Sequence, residues 1–179
     1  MSTNFSKIKE GEIVLFITSE TKYSSTNRDI LRKYINRDGN YCVYVTVNKA
    51  YTTLVKYLET NKIRTDRILF IDAITPVSSE TRSGNAIFVG NPKALTSISL
   101  TLSYAMKGLP EGKRLLFLDS ISTLMIYNDL RTLSKFSNFI INKMREWNFA
   151  GVIISIEKEK SDEISKYLSQ IVDRVVELK

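Results

Sequence analysis

Short apolar runs alternate along the chain with longer segments of helical periodicity. The runs are rich in Ile, Val, Leu, Phe and Tyr and almost continuously hydrophobic, which is typical of parallel strands covered on both faces. They occupy residues 13–18, 41–47, 67–73, 86–89, 114–118, 151–156 and 172–178. Between most of them, apolar residues recur every three or four positions, which predicts amphipathic helices over residues 28–37, 50–60, 93–108 and 130–147.

This alternation predicts a single α/β domain over residues 1–179. Strand–helix–strand units build parallel sheets with right-handed crossovers. We therefore expect a three-layer sandwich with a mainly parallel central sheet and helices on both faces. The one long polar stretch, residues 75–85, is predicted to be an exposed loop.

The composition is that of a globular protein, and it excludes or disfavours several kinds of functional site. No apolar run reaches the roughly 18 residues of a membrane helix, so we expect a cytoplasmic protein without membrane contact. The absence of histidine excludes a histidine-based triad and disfavours a zinc site. Cys42, the only cysteine, lies in an apolar run and is predicted to be buried. The net charge of +7 favours an acidic partner, although a solvated basic surface is the simpler explanation.

The first predicted strand runs into a segment with the spacing of a phosphate-binding loop. A P-loop reads Gly, four residues, Gly-Lys and then Ser or Thr, between a buried strand and a helix. Here Ser19 and Ser24 stand at the two glycine positions, Ser25 at the lysine and Thr26 at the hydroxyl. We therefore expect a loop at this place, before the helix. In the alternative interpretation, Thr26 caps that helix together with Asp29.

The strand predicted at 114–118 leads directly into Asp119. In P-loop proteins, an acid at the end of such a strand holds Mg²⁺ together with the hydroxyl of the loop, which here would be Thr26. A polar residue at a strand end also caps helices, and Ser120 or Ser122 could begin one. The sequence therefore offers a metal pair and, as the alternative, ordinary helix capping.

In these residues the chain resembles the RecA-like ATPase core, most of all its KaiC- and RadA-like branch. The resemblance lies in the order of strands and in the stretch 118–124, and it covers nearly the whole chain. Residues 91–96, followed by a long helix, are similar to a degenerate group of archaeal KaiC-like proteins. The resemblance implies a RecA-like fold with a nucleotide site at Ser19, Ser24, Ser25, Thr26 and Asp119.

The departures from that family predict a site that no longer works as an ATPase. Ser19 and Ser24 carry Cβ atoms where glycines would let N–H groups curl around a phosphate, and Ser25 cannot supply the charge of the lysine. The water-orienting glutamate of the family would fall within residues 47–49, which contain no carboxylate. We therefore expect a vestigial nucleotide site with no catalytic residue, metal or cofactor, and leave weak binding of ATP and Mg²⁺ open.

The sequence leaves three functions open. The leading hypothesis is a non-catalytic KaiC/RecA-like domain that regulates or scaffolds through contact with a protein partner or with its own copies. The second is a nucleic-acid-binding module of the RadA-paralogue type, which the net charge of +7 favours. The third is a weak nucleotide-binding sensor or ATPase with a remodelled phosphate loop.

Overall fold

A parallel β-sheet forms the centre of the protein. The computed structural model describes residues 8–77, 84–157 and 162–178, so that six positions of the predicted 75–85 loop lie outside it. All seven predicted strands are present in the described chain. They are β1 Ile13–Thr18, β2 Asn40–Thr46, β3 Ile68–Asp72, β4 Ala86–Phe88, β5 Lys113–Asp119, β6 Ala150–Ile156 and β7 Arg174–Leu178.

Six α-helices connect these strands within the described residues. They are α1 Glu20–Ile35, α2 Tyr51–Thr60, α3 Leu95–Gly108, α4 Ile121–Tyr127, α5 Leu130–Glu146 and α6 Asp162–Ser169. The four predicted helices are present, but α1 begins eight residues before the predicted start at residue 28. The short helix α6 was not predicted, although its Ile164 and Leu168 are fully buried.

The side chains of each strand alternate between two hydrophobic cores, one on each face of the sheet. In β1, for example, Ile13 and Leu15 enter one core, and Val14 and Phe16 enter the other. Helices α3 to α6 cover the first core, and α1 and α2 cover the second. The prediction of a three-layer α/β sandwich is thus confirmed. Cys42 is fully buried in the second core, as predicted.

The strand order is β4-β3-β2-β5-β6-β1-β7, and every described pair of strands is parallel. Because parallel strands end at the same edge, the carboxyl ends of β1, β2 and β5 share one side of the sheet. The register places Thr46 at the end of β2 beside Asp119 at the end of β5. None of the described helices combines the length and the hydropathy that crossing a membrane requires.

A glycine at the amino ends of the strands fixes the register of β2 and β5. Gly112 precedes β5 with a φ of 141°, and a Cβ there would lie 2.4 Å from the carbonyl oxygen of Gly39. The same oxygen accepts a hydrogen bond from the Lys113 N–H at 3.0 Å. Only glycine allows this close approach of the two strand starts. The approach aligns β2 with β5 and so brings their far ends together.

Candidate functional site

The segment predicted to be a phosphate loop is helical. Ser19, with extended backbone angles, is the N-cap of α1 and directly follows the last residue of β1. The N–H groups of Lys22 and Tyr23 donate to the Ser19 carbonyl at 3.2 and 3.0 Å. In a helix the N–H groups point along the axis and cannot curl around a phosphate. The expectation of a loop between strand and helix was therefore wrong.

The five residues of the predicted nucleotide site are now split between two environments. Ser19 is at the N-cap position of α1, although its side chain makes no capping hydrogen bond. Ser24 and Ser25 lie in the second turn, where the Ser25 hydroxyl donates to a main-chain oxygen 2.9 Å away. Thr26 lies further inside the helix, is 3% exposed and is within 3.4 Å of the hydroxyl of Thr18. The alternative prediction, in which Thr26 caps the helix, was therefore also wrong. The fifth residue, Asp119, belongs to a separate buried cluster.

The Asp119 carboxylate is enclosed by hydrogen-bond donors from three elements. The side chain is 1% exposed. The hydroxyl of Tyr23, in the first turn of α1, donates to Oδ1 at 2.5 Å, and the Asn48 Nδ2 donates to the same oxygen at 3.1 Å. The hydroxyl of Tyr44, from β2, donates to Oδ2. We call Tyr23, Tyr44, Asn48 and Asp119 the tyrosine–aspartate cluster.

The early start of α1 and the register of the sheet bring this cluster together. Because the helix begins right after β1, its first turn places Tyr23 over the carboxyl ends of the strands. Tyr44 lies one strand away from Asp119 and stacks on Phe117, with ring centroids 4.9 Å apart and planes at 10°. This stacking holds the Tyr44 hydroxyl in line with the carboxylate.

Burial dominates the electrostatics of the cluster. It raises the pKa of the Asp119 carboxyl above its ordinary value, while hydrogen bonds from Tyr23, Tyr44 and Asn48 oppose that rise. Burial, and then the nearby Asp119 charge, raise the pKa of both tyrosine hydroxyls, so that they remain neutral donors. Both oxygens of the carboxylate are thus engaged, and a cation would have to displace a phenol to reach them. Among the described residues, no three acidic or cysteine side chains are grouped to hold a metal.

Residues 47–49, where the resemblance implies a glutamate, lie beside the tyrosine–aspartate cluster and contribute to it. Val47 is buried in the core and Asn48 belongs to the cluster. The Asn48 Oδ1 accepts a hydrogen bond from the Thr123 hydroxyl at 2.5 Å, which ties the cluster to α4. Ser120 is the N-cap of α4 and accepts from the Thr123 N–H at 3.3 Å, which confirms the predicted capping role.

Sequence reasoning missed the two tyrosines and the asparagine of the cluster. The predicted loop includes Tyr23, although Tyr23, Asn27 and Ile30 have the i, i+4, i+7 spacing of a buried helical face. Tyr44 stands two positions before the end of β2, in an apolar run that predicts an ordinary core residue. The signal that could have identified Tyr44 was its hydroxyl, a polar group near the end of a strand that pairs with the strand of Asp119.

Comparisons with known proteins place the chain among proteins of this fold. The model of a family of unknown function, DUF7504, matches residues 15–178. No curated protein matches the sequence with significant similarity. A KaiC-like protein of the hyperthermophilic archaeon Pyrococcus horikoshii superposes with a TM-score of 0.68 at 13% identity, over 96% of this chain and 74% of that chain. An uncharacterized protein of the same species, in complex with an unknown peptide, gives 0.67 at 11% identity, over 97% and 79%.

A third neighbour is an ATPase from the type III secretion system of pathogenic bacteria. Its TM-score is 0.59 at 12% identity, over 95% of this chain, and this chain spans about half of that protein, 51%. Identities this low carry information about the fold alone. The expected RecA-like fold is thereby confirmed.

Proposed function

We propose that this chain, which belongs to the DUF7504 family, is a non-catalytic RecA-like domain that acts through contacts with proteins. One observation carries the proposal: Tyr23 and Tyr44 enclose the Asp119 carboxylate, the group that would hold Mg²⁺ in an ATPase of this fold. A helical turn occupies the place of the phosphate loop. The residues left at the sheet edge are suited to structural hydrogen bonding rather than to phosphoryl transfer.

The first test concerns nucleotides. We expect neither ATP with Mg²⁺ nor ADP, at millimolar concentration, to raise the melting temperature of the protein. A ligand present at 100 times its dissociation constant stabilises the folded state by about 2.7 kcal/mol, which a melting curve detects readily. ATP without Mg²⁺ is the matched control for unspecific ionic effects. A magnesium-dependent rise in melting temperature would contradict the non-catalytic role and favour a remodelled nucleotide site.

The outward face of α3 supports a role in protein contacts. Residues 94–106 contain no charged side chain, in a chain that is 25% charged. On this face Leu100 is 58% exposed and Tyr104 is 75% exposed. A net charge of +7 opposes the approach of two copies through charged faces, whereas an uncharged face admits a second copy without desolvating any charge. One structural neighbour was solved with a peptide bound, which agrees with protein contacts in this fold.

We accordingly expect a weak dimer formed through α3. Its 14 residues span about 21 Å, and one face of a helix this short buries less area than the roughly 800 Å² per partner of a standard interface. Sedimentation velocity should give a mass that rises above 20.5 kDa with concentration. The variants Leu100→Glu and Tyr104→Glu should remain monomeric with an unchanged melting temperature. Val175→Glu, at a 37% exposed position of β7, should dimerise like the unmodified chain.

Two results would count against this dimer. A mass of 20.5 kDa at every concentration would exclude self-association and leave a different protein as the partner. If Val175→Glu loses association as much as the α3 variants do, the contact is not specific to α3.

A basic stripe on α5 favours nucleic-acid binding as a second candidate function. Arg131, Lys135 and Arg145 are exposed and lie on one side of the helix, although Arg145 also pairs with Asp173 at 3.6 Å. Each cation that neutralises a phosphate adds about one to the slope of log affinity against log salt.

The slope of log affinity against log salt concentration tests nucleic-acid binding through α5 directly. Changing Arg131 and Lys135 to glutamine should lower the slope for double-stranded DNA by about two units. The same change at the exposed Lys56 and Lys113 should leave it unaltered. If the unmodified protein shows no binding at low ionic strength, this candidate is excluded.

A further inference from the structure

A lysine ammonium group lies over two tyrosine rings beside the tyrosine–aspartate cluster. The Lys49 Nζ is 4.5 Å from the centroid of the Tyr57 ring and 6.0 Å from that of Tyr23. Within the described parts of the chain, no carboxylate lies within ion-pair distance of this ammonium. Attraction to the negative faces of aromatic rings therefore holds it in place.

An unsatisfied acceptor lies at the same place. Asn27, on α1, is 6% exposed, and its Oδ1 has no hydrogen-bond partner among the described residues. It lines a cavity of about 10 Å³ together with Tyr57, Lys49 and Asp119. A cavity of this size holds at most one water-sized group. A buried acceptor without a donor is costly, so a donor group is expected in this position.

We propose that the rings of Tyr23 and Tyr57 and the amide oxygen of Asn27 form a binding pocket for a primary ammonium group, and that the Lys49 ammonium lies against the aromatic wall of this pocket in the free protein. Aromatic faces and a free amide oxygen are groups that recognise an ammonium ion. They reject an anion, so the pocket differs in its chemistry from a nucleotide site. This inference does not depend on the proposed contacts with proteins.

The side chain of Lys49 can exchange with an external ligand. It follows β2 and is only half-buried, and its flexible stem can swing into solvent without breaking the sheet. The pocket then accepts the lysine side chain of another protein or a small alkylammonium ion.

Chemical rescue tests this pocket. In the variant Lys49→Ala, propylammonium should raise the melting temperature by about 4 °C at ten times its dissociation constant. The neutral isostere 1-propanol should not. The matched control is Lys56→Ala, which removes an exposed lysine from α2, next to Tyr57, and should show no specific response. In the Lys49→Ala background, Tyr57→Phe should keep the response and Tyr57→Leu should lose it, because only the ring is required.

Each outcome decides for or against the pocket. A propylammonium response confined to the Lys49 variant and dependent on the Tyr57 ring supports it. No response, an equal response to 1-propanol, or the same response in Lys56→Ala overturns it. If Lys49→Ala does not fold, Lys49→Met keeps the apolar stem without the charge. Calorimetry of methylammonium binding to that variant gives the same decision, because this smaller ion needs no room for a propyl chain.

Discussion

Replacing Asp119 with alanine is expected to lower the free energy of unfolding by about 3 kcal/mol or more. The change leaves the hydroxyls of Tyr23 and Tyr44 and the amide of Asn48 without their buried acceptor. Each buried donor that loses its partner costs about 1–3 kcal/mol, and water can recover part of this loss if the cluster opens. Urea denaturation monitored by circular dichroism measures the difference.

Two further variants serve as controls for Asp119→Ala. Asp129→Ala removes an exposed aspartate that caps α5 and should cost only about 1 kcal/mol. Asp119→Asn keeps an acceptor in the cluster and removes the charge whose burial is unfavourable, so its loss should be smaller than that of Asp119→Ala. If Asp119→Ala costs no more than Asp129→Ala, the cluster does not stabilise the fold and its residues are free for another role.

The second large effect is expected for Phe117→Ala, with a loss of about 3–5 kcal/mol. Phe117 is fully buried in the middle of β5, and its ring stacks on Tyr44. Its removal leaves a cavity in the core beneath α1 and α2 and also frees the Tyr44 ring from the position in which it meets Asp119. Core and cluster should therefore weaken together.

An exposed phenylalanine serves as the control, because it separates the effect of burial from the effect of losing a phenylalanine side chain. Phe139→Ala, on α5, removes the same side chain at a position that is 37% exposed and should cost far less. Near-ultraviolet circular dichroism should report a changed tyrosine environment for Phe117→Ala alone. Equal losses in the two variants, or an unchanged tyrosine signal, would contradict the coupling of Phe117 to the cluster.

The tyrosine–aspartate cluster shows how this chain satisfies a buried acid at the carboxyl ends of the strands. An acidic group at the end of β5 is costly to bury unless it is paired or hydrogen-bonded. Here two phenols and an amide supply the hydrogen bonds. The helical turn that carries Tyr23 stands where the sequence predicted a loop, and the early start of this helix brings the phenol to Asp119.

The first part of the site shows where prediction from sequence failed. The spacing of Ser19, Ser24 and Ser25 matched a phosphate loop, but serine at these positions is equally compatible with a helix. The outcome depended on whether Tyr23 had a partner across the sheet. That partner, Asp119, is 96 positions away in the sequence, and no local pattern could reveal the contact.

By itself, the sequence determined the seven strands, the presence of the four longest helices, the burial of Cys42 and the start of a helix at Ser120 or Ser122. These features follow from local periodicity and from the hydrogen-bonding habits of single residues, which act within a few positions. Only the tertiary structure decided that α1 starts at Glu20, that two tyrosines close Asp119, and that Lys49 lies over aromatic rings. Those outcomes arise from strand order and register, which bring distant residues together through the packing of the whole sheet.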